Sequence, residues 1–276
     1  MPGRSIQSAR PSDANTPRPQ TTLPQKGIER LTAMMRSQRN LASGLPNFHA
    51  VDWIRVEHSI LTSGHAHLPR VVQSPACRSL RTLYDDDRWF RSRIVMGRYN
   101  FGQGEYSYFA YPLPTLVSHI RTHLYTHLAP IANRMMDRLN RSPRYPATLT
   151  AFHKDCRRHG QIQPTPLLLR YHGGDFNCLH RDVYGPTLFP LQAMVMLSRK
   201  GQEFEGGEFV LVENRPRQQA RVTAFNPDLG DIIIFPVHER PVRGKRGYVR
   251  ASMRHGVSPV RTGQRYVLGV IFHEAQ

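Results

Sequence analysis

Beyond Pro164 the chain becomes a succession of short apolar runs cut by Gly, Pro and Asp, and this texture constrains the fold most. The runs are LLLRY (167–171), PLQAMVMLS (190–198), GGEFVLVE (206–213), DIIIF (231–235), RASMRH (250–255) and RYVLGVIF (265–272). Each is the length of a strand and is bounded by turn residues. Irregularly spaced short strands that follow a run of helical segments predict an α+β protein whose strands form a β-sandwich or barrel. No internal repeat is present.

Upstream of Pro164 the periodicity is mostly helical. A helix is expected to begin after Pro75 and to end with RTLYDDDRWF (81–90), and RIVMGRYNF (93–101) reads as a strand before the turn GQGEY. After Pro114, Leu116, Ile120, Leu124, Leu128 and Ile131 fall on one helical face, and Pro130 is expected to kink or divide that helix. A further helix is expected over about 147–159, after Pro146. Residues 1–24 are rich in Ser, Thr, Pro and Gln and nearly free of large apolar groups, which predicts a disordered basic tail. Segment 26–40 reads as a short basic helix, and the globular part begins near Phe48. The expected organisation is thus a tail (1–24), a mainly helical part with one or more strands (25–163) and a strand-rich core (164–276).

Lys and Arg number 38 against 20 Asp and Glu, a formal net charge of +18, which points to a polyanionic partner. Cys77, Cys156 and Cys178 are odd in number and widely spaced, which argues against a disulfide framework and for a reducing compartment. No apolar run approaches the roughly 20 residues of a membrane span. The polar, Pro-rich N-terminus has no apolar segment of a secretory signal, so a cytoplasmic protein is expected.

The candidate chemistry centres on His180-Arg181-Asp182. On an extended segment, side chains at i and i+2 share a face, so the imidazole and carboxylate can chelate one metal. The pattern alone is weak, because His153-Lys154-Asp155 repeats it. That second triplet falls in a predicted helix, where i and i+2 point apart, so it reads as surface only. His255 follows Asp182 beyond three predicted strands. Two histidines and a carboxylate with open positions left make the facial triad of a non-haem Fe(II) oxygenase. Arg265 stands at the start of the last strand, suited to a bidentate grip on a distal carboxylate. Tyr171, at the end of an earlier strand, can direct its hydroxyl to the same group. A rival set of Cys156, His159, Cys178 and His180 has a loose zinc-like spacing and would take His180 from the triad.

Together these residues form Tyr-x8-His-x-Asp, a Gly206-Gly207-Glu208 turn, Gly230-Asp231 before an apolar strand, and His-x9-Arg. From Leu167 to His273 the chain resembles the catalytic domain of 2-oxoglutarate/Fe(II)-dependent dioxygenases, and the His-to-Arg spacing is similar to the prolyl 4-hydroxylase branch. The resemblance implies a double-stranded β-helix (jelly-roll) core flanked by the N-terminal helices. It also implies iron held by His180, Asp182 and His255, and 2-oxoglutarate held by Arg265 and Tyr171. Substrate hydroxylation would consume O2 and release succinate and CO2.

A closer resemblance covers about Gly44 to the end. FRSRIVMGRYNFGQGEYSYFAYPLP, PTPLLLRYHGGDFNCLHRDVYG, GGEFVLVENRPR and RPVRGKRG are similar to a bacterial oxygenase family predicted to demethylate damaged DNA bases, an AlkB-type activity. Only Arg265 matches a cosubstrate position; the two-arginine tail of AlkB proteins has no counterpart.

For the substrate, Phe101, Glu105, Tyr106 and Tyr108 are candidates to line a pocket and stack on a base. His238 and Arg240, with Arg243, Lys245, Arg246 and Arg250, are candidates for a phosphate-binding rim at the mouth of the site. The expected partner is single-stranded or damaged nucleic acid. The alternatives are prolyl 4-hydroxylase-like hydroxylation of a protein side chain, or a basic nucleic-acid-binding protein with a vestigial oxygenase fold.

Overall fold

A computed structural model describes residues 45–46, 48–142 and 144–276. The tail expected over 1–24 and the helix expected over 26–40 lie outside the described residues. Helix α1 (Trp53–Ser63) begins where Asp52 accepts a hydrogen bond from the Arg55 amide, and it ends at Gly64 in the left-handed conformation. Helix α2 (Ser74–Thr82) carries Pro75 in its first turn. It does not reach residue 90 as expected. The Asp86 side chain accepts from the Arg88 amide and breaks the segment into two 3-10 turns, Leu83–Asp85 and Asp87–Trp89. The strand expected over 93–101 is shifted to Phe90–Val95, because Met96–Tyr99 curls into a 3-10 turn closed by Asn100 at φ 58.

Helix α3 (Thr115–Arg138) buries all five residues of its predicted stripe and runs through Pro130 without being divided. A proline inside a helix costs about 3 kcal/mol. Ile131, Ala132, Met135 and Met136 are buried beyond it, and a buried Ile or Met returns about 1.5–3 kcal/mol each. Helix α4 (Leu149–Arg158) starts at Thr148, whose hydroxyl accepts from the Ala151 amide. No helix among the described residues is long and apolar enough to cross a membrane.

The strands are β1 (Ala66–Leu68), β2 (Phe90–Val95), β3 (Gly102–Gln103), β4 (Glu105–Phe109), β5 (Leu167–His172), β6 (Phe176–His180) and β7 (Leu191–Met196). They continue with β8 (Phe204–Gly206), β9 (Phe209–Asn214), β10 (Arg221–Phe225), β11 (Ile232–Pro236), β12 (Glu239–Gly244), β13 (Gly247–Val257) and β14 (Val260–Val270). The larger sheet runs β1-β11-β7-β14-β5-β4-β2, with β8 added to β14; the smaller runs β10-β9-β13-β6-β3, with β12 added to β13. Neighbours pair antiparallel, as in β11 on β7, β14 on β5 and β13 on β9. This is an α+β protein with a jelly-roll core. The larger sheet crosses Pro164, since β1, β2 and β4 join it from the N-terminal side.

The core lies between the sheets. Met194, Ile233 and Val267 of the larger sheet pack with Phe209, Leu211 and Met253 of the smaller. Strands β7 and β11 are buried at every position. Their continuous apolar sequence follows from cover on both faces.

One polar network ties the helices to the chain end. Arg121, on the buried face of α3, donates to the carbonyls of Ile271 and Phe272 and pairs with Glu274 at 3.0 Å. His153, expected at the surface, instead packs inward with Nε2 3.0 Å from both the Phe272 carbonyl and Glu274. The helical geometry that separates it from Asp155 is what turns it toward this network; Asp155 faces out and pairs with Arg158.

Burial, reinforced by the Arg121 charge, pulls His153 down to about 3 from 6.5 despite the nearby Glu274 carboxylate, which Arg121 already holds. Between those values the unfolded chain takes up a proton that the folded chain refuses. This residue's contribution is therefore intact above pH 6.5 and is lost as pH falls, by up to about 1.4 kcal/mol per pH unit. His153→Gln should remove about one proton from the acid slope of stability, measured by chemical denaturation across mildly acidic pH. An unchanged slope would mean that His153 is solvated.

Candidate active site

The site forms where β6 ends against β13. Antiparallel pairing sets His180 directly across from His255, and the ladder is bulged just beyond, between His255 and Val257. The chain then leaves β6 and brings Asp182 back beside both rings. Asp182 lies 3.7 Å from His180 Nε2 and 3.2 Å from His255 Nε2. One ligating atom from each residue falls within 4.8 Å of the others. Two imidazoles and a carboxylate converging in this way suit a divalent transition metal with open positions left over.

The surroundings orient each of these groups for ligation. His180 Nδ1 faces the Cys178 carbonyl oxygen at 2.8 Å, and donating there leaves Nε2 free as a ligand. Burial, with His180 beside it, lowers the His255 pKa and favours the neutral ring. Asp182 is held well below the usual carboxylate range: burial opposes ionisation, but the hydrogen bond and charge of His255, then His180 and the Tyr184 hydroxyl, outweigh it. Tyr184 donates to Asp182 at 2.6 Å, and Tyr108 donates to Tyr184 at 3.0 Å. Sequence reading missed Tyr184. The same i, i+2 rule that pairs His180 with Asp182 reaches from Asp182 to Tyr184.

Arg265 and Tyr171 are cross-strand partners in the β14–β5 ladder, with the guanidinium 5.4 Å from the tyrosine ring centroid. Both are buried. Burial pushes the Tyr171 hydroxyl up to about 12 and pulls Arg265 down to about 10. The Nε and one terminal nitrogen of Arg265 are buried without a protein acceptor. Room for this side chain depends on Gly207, at φ +61, where a Cβ would lie 2.8 Å from Arg265 Cδ. That is a physical reason for the glycine in the Gly206-Gly207-Glu208 turn. The orphaned nitrogens fit a carboxylate-bearing molecule, which would supply the acceptors that the protein does not.

Both groups open on one cavity of about 310 Å³. Phe101, Tyr106, Tyr108 and Tyr184 are among its lining residues, as are Asn177 and Gln192. The structure thus brings together His180, Asp182, His255, Arg265, Tyr171, Tyr106 and Tyr108. Phe101, also a candidate, lines the same cavity; Glu105 and the basic-rim candidates do not. Glu105 is held by Arg170 at 2.6 Å and Arg93 at 3.2 Å, away from the cavity. Arg240 is 2% exposed and pairs with Glu213 at 2.5 Å, its terminal nitrogens on the Leu61 and Thr62 carbonyls. His238 and Arg250 flank the buried Glu239 instead of the cavity. Their run reads as one basic loop in sequence, but its residues form strand β12 and the start of β13, whose alternation sends neighbours to opposite faces. Among the described residues, the zinc-like set of Cys156, His159, Cys178 and His180 forms no ligand cluster. Cys156 is buried and Cys178 exposed.

Residues 104–275 match the model of the Oxygenase-NA family, described as an oxygenase catalysing oxidative methylation of damaged DNA. Two uncharacterized proteins of Mycobacterium tuberculosis, MT2286 of strain CDC 1551 / Oshkosh and Rv2227 of strain ATCC 25618 / H37Rv, are similar along much of the chain. Each is 41% identical over 169 residues, covering 61% of this chain and 72% of the relative. A solved prolyl-4-hydroxylase from Pseudomonas putida shares the fold, with a TM-score of 0.50 at 13% identity over 81% of this chain and 100% of that one.

Proposed function

This chain belongs to the Oxygenase-NA family, and on that footing we propose that it is an Fe(II)- and 2-oxoglutarate-dependent dioxygenase that removes methyl groups from alkylated bases in single-stranded nucleic acid. His180, Asp182 and His255 hold the iron. Arg265 grips the distal carboxylate of 2-oxoglutarate, with the Tyr171 hydroxyl beside it. The observation that carries the reading is the orphaned Arg265 guanidinium, buried and unpaired on the same cavity as the His–Asp–His group. A buried cation without an acceptor is costly, and a bidentate carboxylate removes the cost.

Iron with 2-oxoglutarate and O2 supplies the oxidising power to hydroxylate a C–H bond, with succinate and CO2 as co-products. On an N-methyl group the hydroxymethyl product collapses to formaldehyde and the unmodified base, so the net change is loss of the methyl carbon. The protein's own part is to hold two imidazoles and one carboxylate at fixed spacing, and to seat the target. Tyr106 and Tyr108 on the cavity wall offer rings against which a flat base can stack. A base inside a duplex cannot reach such a cavity, so the enzyme acts on single strands or on a flipped base. The net charge of +18 favours a polyanion. The reading also assigns the protein to the cytoplasm, consistent with three free cysteines.

The test is succinate formation from 2-oxoglutarate with Fe(II), with and without an N-methylated single-stranded oligonucleotide whose mass is followed. The expected result is succinate stimulated by the oligonucleotide, with loss of the methyl mass and release of formaldehyde. Succinate with an unchanged oligonucleotide would overturn the nucleic-acid substrate and favour a protein side chain. No succinate under any condition would overturn the oxygenase assignment.

A further inference from the structure

Outside the cavity, one face of β13 carries a row of guanidinium groups that the reaction itself does not use. β13 pairs with β12 and β9 without a register break from Gly247 to Val257. Alternation sends Ala251, Met253 and His255 inward, where all three are buried, and turns Tyr248, Arg250, Ser252 and Arg254 to the other face. Arg181 connects this face to the cavity that it helps to line: it donates to Ser252 Oγ at 2.6 Å and to the Met253 carbonyl at 3.0 Å. At the far end, Arg138 of α3 and Arg243 of β12 lie over the Tyr248 ring, 5.0 and 5.6 Å from its centroid.

Among the described residues, the acid paired across from this row is Glu239, opposite Ser252 in the β12–β13 ladder. Its side chain is only 5% exposed and is already engaged by Arg141 at 2.5 Å, with Arg250 3.6 Å away. Arg250 remains 65% exposed, and the hairpin tip beyond it adds exposed Arg243, Lys245 and Arg246. Strand residues on one face repeat every ~7 Å. Arg250 and Arg254 stand two such repeats apart, and the Arg181 guanidinium, bonded to Ser252 between them, fills the intervening position, so cations recur at a spacing comparable to that of phosphates along an extended nucleotide backbone. Guanidinium groups also match phosphate in bidentate geometry.

We propose that this row, from Arg254 and Arg181 beside the cavity through Arg250 to Arg243 at the hairpin, is a track for the sugar-phosphate backbone of single-stranded nucleic acid. It rests on the reading above: that reading seats one base in the cavity, and the track carries the strand leading away from it. Tyr248 braces the distal arginines. The basic hairpin engages phosphates along this track, several residues up the strand from His255.

The experiment is binding of a fluorescein-labelled, unmodified dodecathymidylate to the full chain by fluorescence anisotropy, over a series of NaCl concentrations. Two variants are compared with the parent: Arg243→Ala/Arg250→Ala/Arg254→Ala, and Lys245→Glu/Arg246→Glu at the exposed tip, each checked for an unaltered melting temperature. The triple variant should make the slope of log Kd against log salt shallower by about two, since each lost single-strand phosphate contact removes ~0.7. The tip variant should make it shallower by about 1.4 or more, since it removes two cations and reverses both charges. If the first variant fails to fold, the second still decides. A parental slope in folded variants, or no salt-dependent binding by the parent, would overturn the track. These results separate it from the catalytic reading. Salt-dependent binding without demethylation leaves the track and removes the substrate assignment, whereas demethylation with parental slopes in the variants removes the track alone.

Discussion

Asp182→Asn should leave a folded protein that forms succinate at about a thousandth of the parental rate or less, a loss of about 4 kcal/mol in transition-state terms. Asparagine keeps the shape of the side chain and an oxygen to accept from the Tyr184 hydroxyl, which lies 2.6 Å from Asp182. What it removes is the one negative charge of the ligand set. It also turns an amide N–H₂ or a neutral oxygen toward His255 Nε2, 3.2 Å from the carboxylate in the parent. Two neutral imidazoles and a neutral amide bind a divalent ion far less well, because a hard cation gains most from an anionic oxygen. Equilibrium dialysis against Fe(II) under anaerobic conditions, read beside succinate formation, checks both halves. A variant that binds Fe(II) like the parent, or that retains a tenth of its turnover, would take Asp182 out of the ligand set.

Arg265→Met should move stability and function in opposite directions. Without a bound acid, the parent carries a guanidinium that is 1% exposed and has two unpartnered nitrogens. Replacing a buried ionic group by an apolar side chain of similar volume is often neutral or stabilising by about 1–4 kcal/mol. For a chain of this size each kcal/mol is worth about 2–4 °C in melting temperature. The variant should therefore melt at or above the parental temperature in the absence of 2-oxoglutarate. Its KM for 2-oxoglutarate should rise by about 30-fold or more, since truncating one partner of a buried charge pair costs about 2–5 kcal/mol. Addition of 2-oxoglutarate with a redox-inert divalent metal should raise the parental melting temperature and leave that of the variant in place. Arg265→Lys should not restore binding, because an ammonium is a point donor without the planar fork. Parental KM in either variant would break the assignment of Arg265 to the cosubstrate.

Short-range patterns carried much of the fold. The stripe of α3 from Leu116 to Ile131 is buried as its 3.6-residue period demands, and the apolar DIIIF run is a strand covered on both faces. Boundaries were less legible where a single side chain redirects the backbone: Asp86 ends a helix early, and Asn100 closes the turn that replaces the second half of an expected strand. Pro130, a helix breaker by local rules, sits inside α3 because buried residues on both sides of it outweigh the lost hydrogen bond.

At the site, the sequence by itself determined which side chains can act: an imidazole and a carboxylate two residues apart, a second histidine, a tyrosine and a late arginine. Those relations depend on residue chemistry and on the two-residue repeat of an extended chain, both local properties. Only the tertiary structure decided which of them meet. Strand register sets His180 against His255 and Tyr171 against Arg265 across long separations in the chain. The same packing withdraws Arg240 into a pair with Glu213 and turns His153 from the surface toward Glu274. It also adds Tyr184 behind Asp182. Register and burial are set by how two sheets and a helical layer fill space together, and a residue's immediate neighbours in sequence carry no measure of that.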